Sequence, residues 1–179
     1  MLQITIPAAT LYNSKTNELY DTKEQTINLE HSLVSVSKWE SIFCVPFIDR
    51  PLSKKEFIEY VRCMTITKNV DPLVYHALTL QNVMDIKKYM KRPMTASTFS
   101  GSPIKKYNGE FITSETLYYL MFSLNISMEC QKWHLNRLLT LIRFCQAKNT
   151  PAEKMTASET AEFYRQLNEK RKKEWGTKG

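Results

Sequence analysis

The stretch ECQKWHLNRLLTLIRFC, residues 129–145, holds the side chains of this sequence that are best suited to chemistry. Cys130 and His134 are four residues apart, so on a helix they lie on one face. A thiolate and an imidazole at this spacing can form half of a tetrahedral zinc site. The remaining ligands would come from four single residues that form no second spaced pair: Cys44, Cys63, His31 and His76.

Two other roles are open to the same residues. Cys130 could be a nucleophile with His134 as its base, although no orienting acid or oxyanion hole is evident. Alternatively, His134 and Arg137 are covered polar groups of a core helix, and such groups need hydrogen-bond partners. Their candidate partners are loop carbonyls and three carboxylates, those of Glu30, Glu40 and Asp71.

A helix wheel of residues 130–147 favours the structural alternative. One narrow polar stripe can face water, and the rest of the circumference is apolar, so we expect a central helix that begins after Ser127. The stripe consists of Lys132, Asn136, Thr140, Arg143 and Ala147. We therefore predict a protein that is not an enzyme and holds no metal or cofactor.

Composition allows one domain with a substantial core, since 42% of the 179 residues are hydrophobic. The formal net charge of +7 is compatible with an acidic partner such as nucleic acid. KKYMKR (87–92) and IKKY (104–107) mix lysines with tyrosines, as phosphate contacts and base stacking require. No helix-turn-helix accompanies them, so an ordinary basic surface is the favoured interpretation and nucleic acid an unlikely partner.

Targeting signals are not evident. The start MLQITIPAAT lacks a basic region and a long apolar run, and no stretch of about eighteen apolar residues predicts a membrane span. The four cysteines form no CxxC pair, which is typical of reduced thiols in the cytoplasm. Gly101 and Gly109 stand alone, so a glycine-rich phosphate loop is not expected.

Periodicity predicts a mainly α fold, a single domain of about six helices with a small antiparallel β unit at the amino terminus. LQITI alternates, INLE can return beside it, and NSKTN (13–17) is a turn, so residues 1–31 should form a β-hairpin of two or three strands. Helical spacing follows. The predicted starts are Ser32, Ser53 with Glu56 in a capping box, Asp71-Pro72, Thr79, Thr113, Ser127, and Thr156 with Glu159 in a second box.

The first predicted helix should bury Leu33, Val36, Ile42 and Phe43 and end before Pro46. Residues 95–111, TASTFSGSPIKKYNGEF, break the helical pattern and predict an exposed loop. The helical domain should span residues 1–151.

Residues 152–179 predict a loosely packed basic helix, which Gly176 should terminate. Its candidate face is thin in apolar residues, so it adds little to a core and is available to a partner. The predicted partner-binding residues are Tyr164, Leu167, Arg171 and Trp175.

Three segments together resemble a family of small proteins from tailed bacteriophages and prophages. They are LEHSLVSVSKWE (29–40), YVRCMTITKNVDPLVY (60–75) and ECQKWHLNRLLTLIR (129–143). The resemblance covers residues from about Leu2 to Met155, and its members are found in the tail-morphogenesis region, where they are called tail assembly chaperones. The ending RKKEWGTKG departs from the family pattern.

The resemblance implies a non-catalytic factor that binds the tape measure protein in the host cell cytoplasm while the tail tube polymerises. It brings no catalytic residues. A structural virion protein, such as a head–tail joining or tail component, is the alternative, and a nucleic-acid-binding phage protein is the third. A homo-oligomer is compatible with each.

Overall fold

A computed structural model describes residues 1–13, 17–97 and 112–149, and individual positions beyond them: 161, 162, 164, 165, 167–169, 171, 172 and 176. The chain divides into two compact units, Met1–Ala147 and Lys148–Gly179. The first unit combines five α-helices and two short 3-10 helices with four strands among the described residues. The coarse prediction of a helical protein with an amino-terminal antiparallel β unit is therefore confirmed.

The strands form one interrupted ribbon. β1 (Leu2–Ile6) pairs antiparallel with β4 (Gln25–Leu29), and β2 (Ala9–Asn13) pairs with β3 (Glu18–Thr22). The same register continues across the interruption, where Pro7 cannot donate a ladder hydrogen bond. The prediction of two or three strands is wrong, because pairing resumes beyond Pro7. The predicted turn falls largely outside the described residues.

Period-two alternation buries one face of this ribbon. Ile4 and Ile6 from β1 face the core together with Ile27 and Leu29 from β4. The two strands thus supply one wall of the hydrophobic core, which the helices complete.

α1 (Leu33–Phe43) begins at Ser32, whose hydroxyl accepts from the Ser35 amide. The helix ends at Cys44, which adopts a left-handed backbone with φ 53° and so stops it two residues before Pro46. Trp39 is fully buried, but Ile42 is 53% exposed, so the prediction that Ile42 faces the core is wrong. The buried face is rotated toward Trp39 and Glu40 instead.

The following helices begin where local sequence predicts. α2 (Lys54–Met64) starts at the Ser53–Glu56 capping box and buries the four predicted residues, Phe57, Tyr60, Val61 and Met64. Asp71 caps the 3-10 helix Pro72–Ala77, and Thr79 caps α3 (Leu80–Met90). Thr113 caps α4 (Ser114–Ser123). Most of the predicted loop at residues 95–111 lies outside the described residues.

The helix predicted from Ser127 is broken. Residues Met128–Lys132 form a 3-10 helix, Trp133 is extended, and α5 begins only at Leu135 and ends at Asn149. His134 forms a β-bridge with Ser32, and the Leu135 amide donates to the His31 carbonyl at 2.7 Å. This long-range backbone pairing overrides the local helical pattern, so the wheel is wrong for residues 130–134.

Within α5 the wheel correctly predicts the centre of the buried face, but it is wrong for a residue at the edge of that face. Leu135, Leu138, Leu139 and Ile142 are buried. Phe144, predicted as covered, is 46% exposed. None of the described helices is both long enough and apolar enough to cross a membrane.

In the second unit, the described positions between 161 and 172 are helical. Gly176 has φ 61°, the left-handed conformation expected of a residue that terminates a helix.

The burial of α5 gives a stability prediction. Leu138 is fully buried, so Leu138→Ala should lower the free energy of unfolding by about 2–5 kcal/mol. Leu141 is only half-buried, and Leu141→Ala should cost less than Leu138→Ala. Lys132, whose only described ion pair is with exposed Glu129, serves as the control, and Lys132→Ala should change stability by less than about 0.5 kcal/mol. Urea melts measure all three, and equal losses would contradict this assignment of α5.

Candidate functional site

Two histidines meet in the interior of the first unit. The rings of His31 and His134 lie 5.1 Å apart between centroids in an edge-to-face arrangement, and each residue is 4% exposed. Nδ1 of His31 is 2.6 Å from the Tyr60 hydroxyl. Tyr89 packs edge-on against His134 at 4.9 Å and donates its hydroxyl to Glu30 at 2.6 Å. The pair is thus surrounded by aromatic rings and ordered by hydrogen bonds.

Both imidazoles are held neutral. Burial, followed by the neighbouring His134, lowers the pKa of His31 to about 3. Burial also lowers the pKa of His134, although its hydrogen bond to the Tyr89 carbonyl and the Glu30 charge act in the opposite direction. Burial likewise raises the pKa of the Tyr60 and Tyr89 hydroxyls, so these also stay protonated.

His134 has no nitrogen available for chemistry. Its Nε2 donates to the Tyr89 carbonyl at 3.2 Å, and its Nδ1 accepts from the Asn136 amide at 3.3 Å. A zinc ligand or a general base needs a ring nitrogen with a free lone pair. In neutral His134 only Nδ1 has a lone pair, and it accepts the hydrogen bond from the Asn136 backbone amide. Residues 1–13, 17–97 and 112–149 contain no group of three or more His, Cys, Asp or Glu placed to hold a metal ion.

The structural role predicted for His134 and Arg137 is therefore correct for one residue and wrong for the other. His134 is buried and bonded to a backbone carbonyl, that of Tyr89 rather than a carboxylate. Arg137 is exposed, because α5 begins late, and its guanidinium lies 4.0 Å from the centre of the Trp133 ring.

Glu40 is a polar group whose role the sequence does not reveal. It is 7% exposed, and its carboxylate accepts from two distant amides, Phe47 N at 2.8 Å and Ser114 N at 2.7 Å. Ser114 is the first residue of α4, so the charge also interacts favourably with that helix terminus. One carboxylate thus fixes the segment after α1 and the start of α4.

A groove of about 1040 Å³ opens beside the histidine pair. Its walls are the loop between α1 and α2, the first turns of α2, the end of the 3-10 helix Pro72–Ala77, one face of α3 and the start of α5. Most of its lining is apolar, which is typical of a binding cleft of this size. The apolar residues are Phe47, Ile48, Pro51, Leu52, Phe57, Ile58, Tyr75, Leu78, Val83, Met90, Leu135 and Leu139, and His31 also lines the groove.

Basic side chains frame this apolar floor. Lys54 from α2 and Lys87 and Lys91 from α3 line the groove and are exposed. The Lys87 ammonium lies 5.5 Å from the Phe57 ring centre, over the floor itself. Sequence patterns do not reveal the groove, because its residues come from five separate stretches of the chain.

The structure describes three of the four partner-binding residues predicted in the second unit. Tyr164 is 57% exposed, Arg171 is exposed and Leu167 is half-buried. Trp175 lies outside the described residues. Their role in binding stays a prediction.

Comparison with known proteins gives no relative: no protein-family model, no curated protein and no solved structure matches this chain.

The histidine pair predicts acid sensitivity. A histidine whose pKa is lowered by folding binds fewer protons in the folded protein than in the unfolded chain. Its contribution to the free energy of unfolding is therefore complete above about pH 6.5 and is lost as the pH falls toward the folded pKa. Between pH 7 and 5 we expect His31 to lower the free energy of unfolding by up to about 1.4 kcal/mol per pH unit, and His134 to act in the same direction.

Urea melts of His31→Gln across this pH range should show a shallower dependence than the unmodified protein. His76→Gln is the matched control, because His76 is exposed and lies outside the pair. An unchanged slope in His31→Gln would contradict the assignment.

Glu40→Gln tests the double acceptor. An amide keeps one acceptor oxygen and presents an NH2 group to the second backbone amide, leaving it unsatisfied at a cost of about 1–3 kcal/mol. Glu129→Gln is the control, since this side chain is 80% exposed and should change stability by less than about 0.5 kcal/mol. Thermal or urea melts compare the two, and equal effects would exclude a structural role for the Glu40 charge.

Proposed function

We propose that this protein is a phage tail assembly factor that binds the tape measure protein in the host cytoplasm and performs no chemistry. The observation that carries the proposal is the open groove, which places many apolar side chains around a space of about 1040 Å³. Such a surface suits a client that must be held and later released. The resemblance of residues 29–40, 60–75 and 129–143 to tail assembly chaperones supports the same function.

The chemistry of the buried polar groups is compatible with this proposal. Both histidines are neutral, and His134 is hydrogen-bonded at both nitrogens. These groups position α5 against the end of β4, so their contribution to function is to shape one wall of the groove. Binding, rather than bond making, is what the arrangement of these groups favours.

The second unit supplies a second contact in this proposal. Residues 148–179 carry eight basic and five acidic side chains, a net charge of +3, and Tyr164 presents an exposed ring. This helix adds affinity for the client without forming the main site.

Truncation after Pro151 tests both parts of the proposal. The first unit ends at Ala147, so the truncated chain should keep its thermal melting temperature. Capture of the tape measure protein in a pull-down at physiological salt should weaken but persist, because apolar contacts are screened little by salt.

Binding to duplex DNA, measured in parallel, should be weak and fade steeply as salt rises. Tight, salt-resistant DNA binding would favour a nucleic-acid function instead. If the full chain does not capture the tape measure protein and is itself found in purified virions, a structural virion protein would be favoured. Undiminished capture after truncation would restrict the client to residues 1–151.

A further inference from the structure

The groove has a chemical character that specifies its occupant. We propose that it binds an acidic amphipathic α-helix supplied by another protein, with the apolar face of that helix on the groove floor and its carboxylates against the lysines of the rim. The inference rests on the proposed function, in which the occupant is a segment of the tape measure protein. It names the binding surface and the recognition chemistry that the function alone leaves open.

The floor is built to receive apolar side chains. α3 contributes Val83 and Met90, α2 contributes Ile58, and all three are half-buried, so each keeps apolar surface that no other described element covers. Phe57 and Leu139 also line the groove and are almost completely buried. Removing such half-covered apolar surface from water is the main source of affinity in helix-in-groove complexes.

The walls select a helix over a strand. Three of them, α2, α3 and α5, are helices whose interior backbone amides and carbonyls are already bonded within the helix. An extended peptide placed here would find no free sheet edge for main-chain pairing. A helix satisfies its own backbone and needs only side-chain contacts.

The rim selects acidic side chains. Arg50 is already neutralised by Glu56, with which it forms an ion pair. Lys54, Lys87 and Lys91 form no ion pair within the described residues, and Asp49 is the only acidic side chain of the lining. Three unpaired ammonium groups against one carboxylate leave a positive rim, and carboxylates of a partner complement it.

The same charge argument disfavours two other occupants. The carboxyl-terminal residues 146–179 carry a net charge of +3, and a second copy of the chain carries +7. Both would bring positive charge to a positive rim. The complementary occupant is therefore a different, acidic chain.

A charge-reversal pair tests the inference on the full-length protein. The groove variant carries Lys54→Glu, Lys87→Glu and Lys91→Glu. The control variant carries Lys23→Glu, Lys55→Glu and Lys68→Glu, three exposed lysines outside the groove, one of them next to Lys54. Both variants change the net charge equally, and all substituted side chains are exposed, so thermal melts should show that both fold.

The probes are two fluorescent amphipathic helical peptides with the same leucine face, one flanked by glutamates and one by lysines. The unmodified protein should prefer the glutamate peptide. The groove variant should lose at least about tenfold in affinity for it and gain affinity for the lysine peptide, whereas the control variant should stay within about twofold of the unmodified protein. Equal losses in both variants would overturn the inference, since only net charge would then matter.

Capture of the tape measure protein by the same variants tests the proposed function separately. If the groove variant captures it as well as the unmodified protein does, the groove inference fails and the proposed function stands. If the unmodified protein does not capture it but binds the glutamate peptide with the predicted variant pattern, the proposed function fails and the groove inference stands. Tetradecanoate binding more tightly than either peptide would overturn the helix as occupant and assign the groove to a small anionic amphiphile.

Discussion

The structure depends on backbone pairing along the segment of residues 28–32. The first two residues of this segment belong to β4 of the ribbon. The other edge of the segment pairs with the residues at the end of α2. There the Ile66 amide donates to the Asn28 carbonyl at 2.8 Å, and the Glu30 amide donates to the Met64 carbonyl at 2.9 Å. The His31 carbonyl then accepts from the Leu135 amide at 2.7 Å. One extended segment therefore fixes the β-ribbon, the end of α2 and the start of α5 relative to each other.

The buried histidines follow from this pairing. A bridge between Ser32 and His134 brings the two imidazoles together in the interior, and a charge on either ring would have to be desolvated beside the other. Neutral rings avoid that cost and still provide hydrogen bonds with defined directions. The pair thus favours one arrangement of α5 at this junction, and α5 in turn forms a fixed wall of the groove beside the pair.

Local features of the sequence predict the helix starts well. The capping residues Ser32, Ser53, Asp71, Thr79 and Thr113 all lie where a short-range rule places them, because a cap needs only amides two or three positions away. β1 and its partner strand are predictable for the same reason, since alternation and a nearby turn determine a hairpin.

Features that depend on distant contacts cannot be predicted in this way. The late start of α5 is imposed by His31, the double role of Glu40 by Phe47 and Ser114, and the exposure of Ile42 by the rotation of α1 toward Trp39. A short stretch of sequence around each of these residues does not contain the distant partner that determines its position. The groove combines residues from five stretches of the chain, so no rule that considers only neighbouring residues can predict it.

The bridge between Ser32 and His134 also has a consequence for biosynthesis. A ribosome releases the ribbon and α1 to α3 first, and these can pair through residues 28 and 66 while α5 is still being made. Until α5 emerges, His31 lacks its contact with the His134 ring, and the groove lacks the wall formed by Leu135 and Leu139. The nascent chain therefore acquires its groove among the last steps of folding, so a partially synthesised molecule cannot present it.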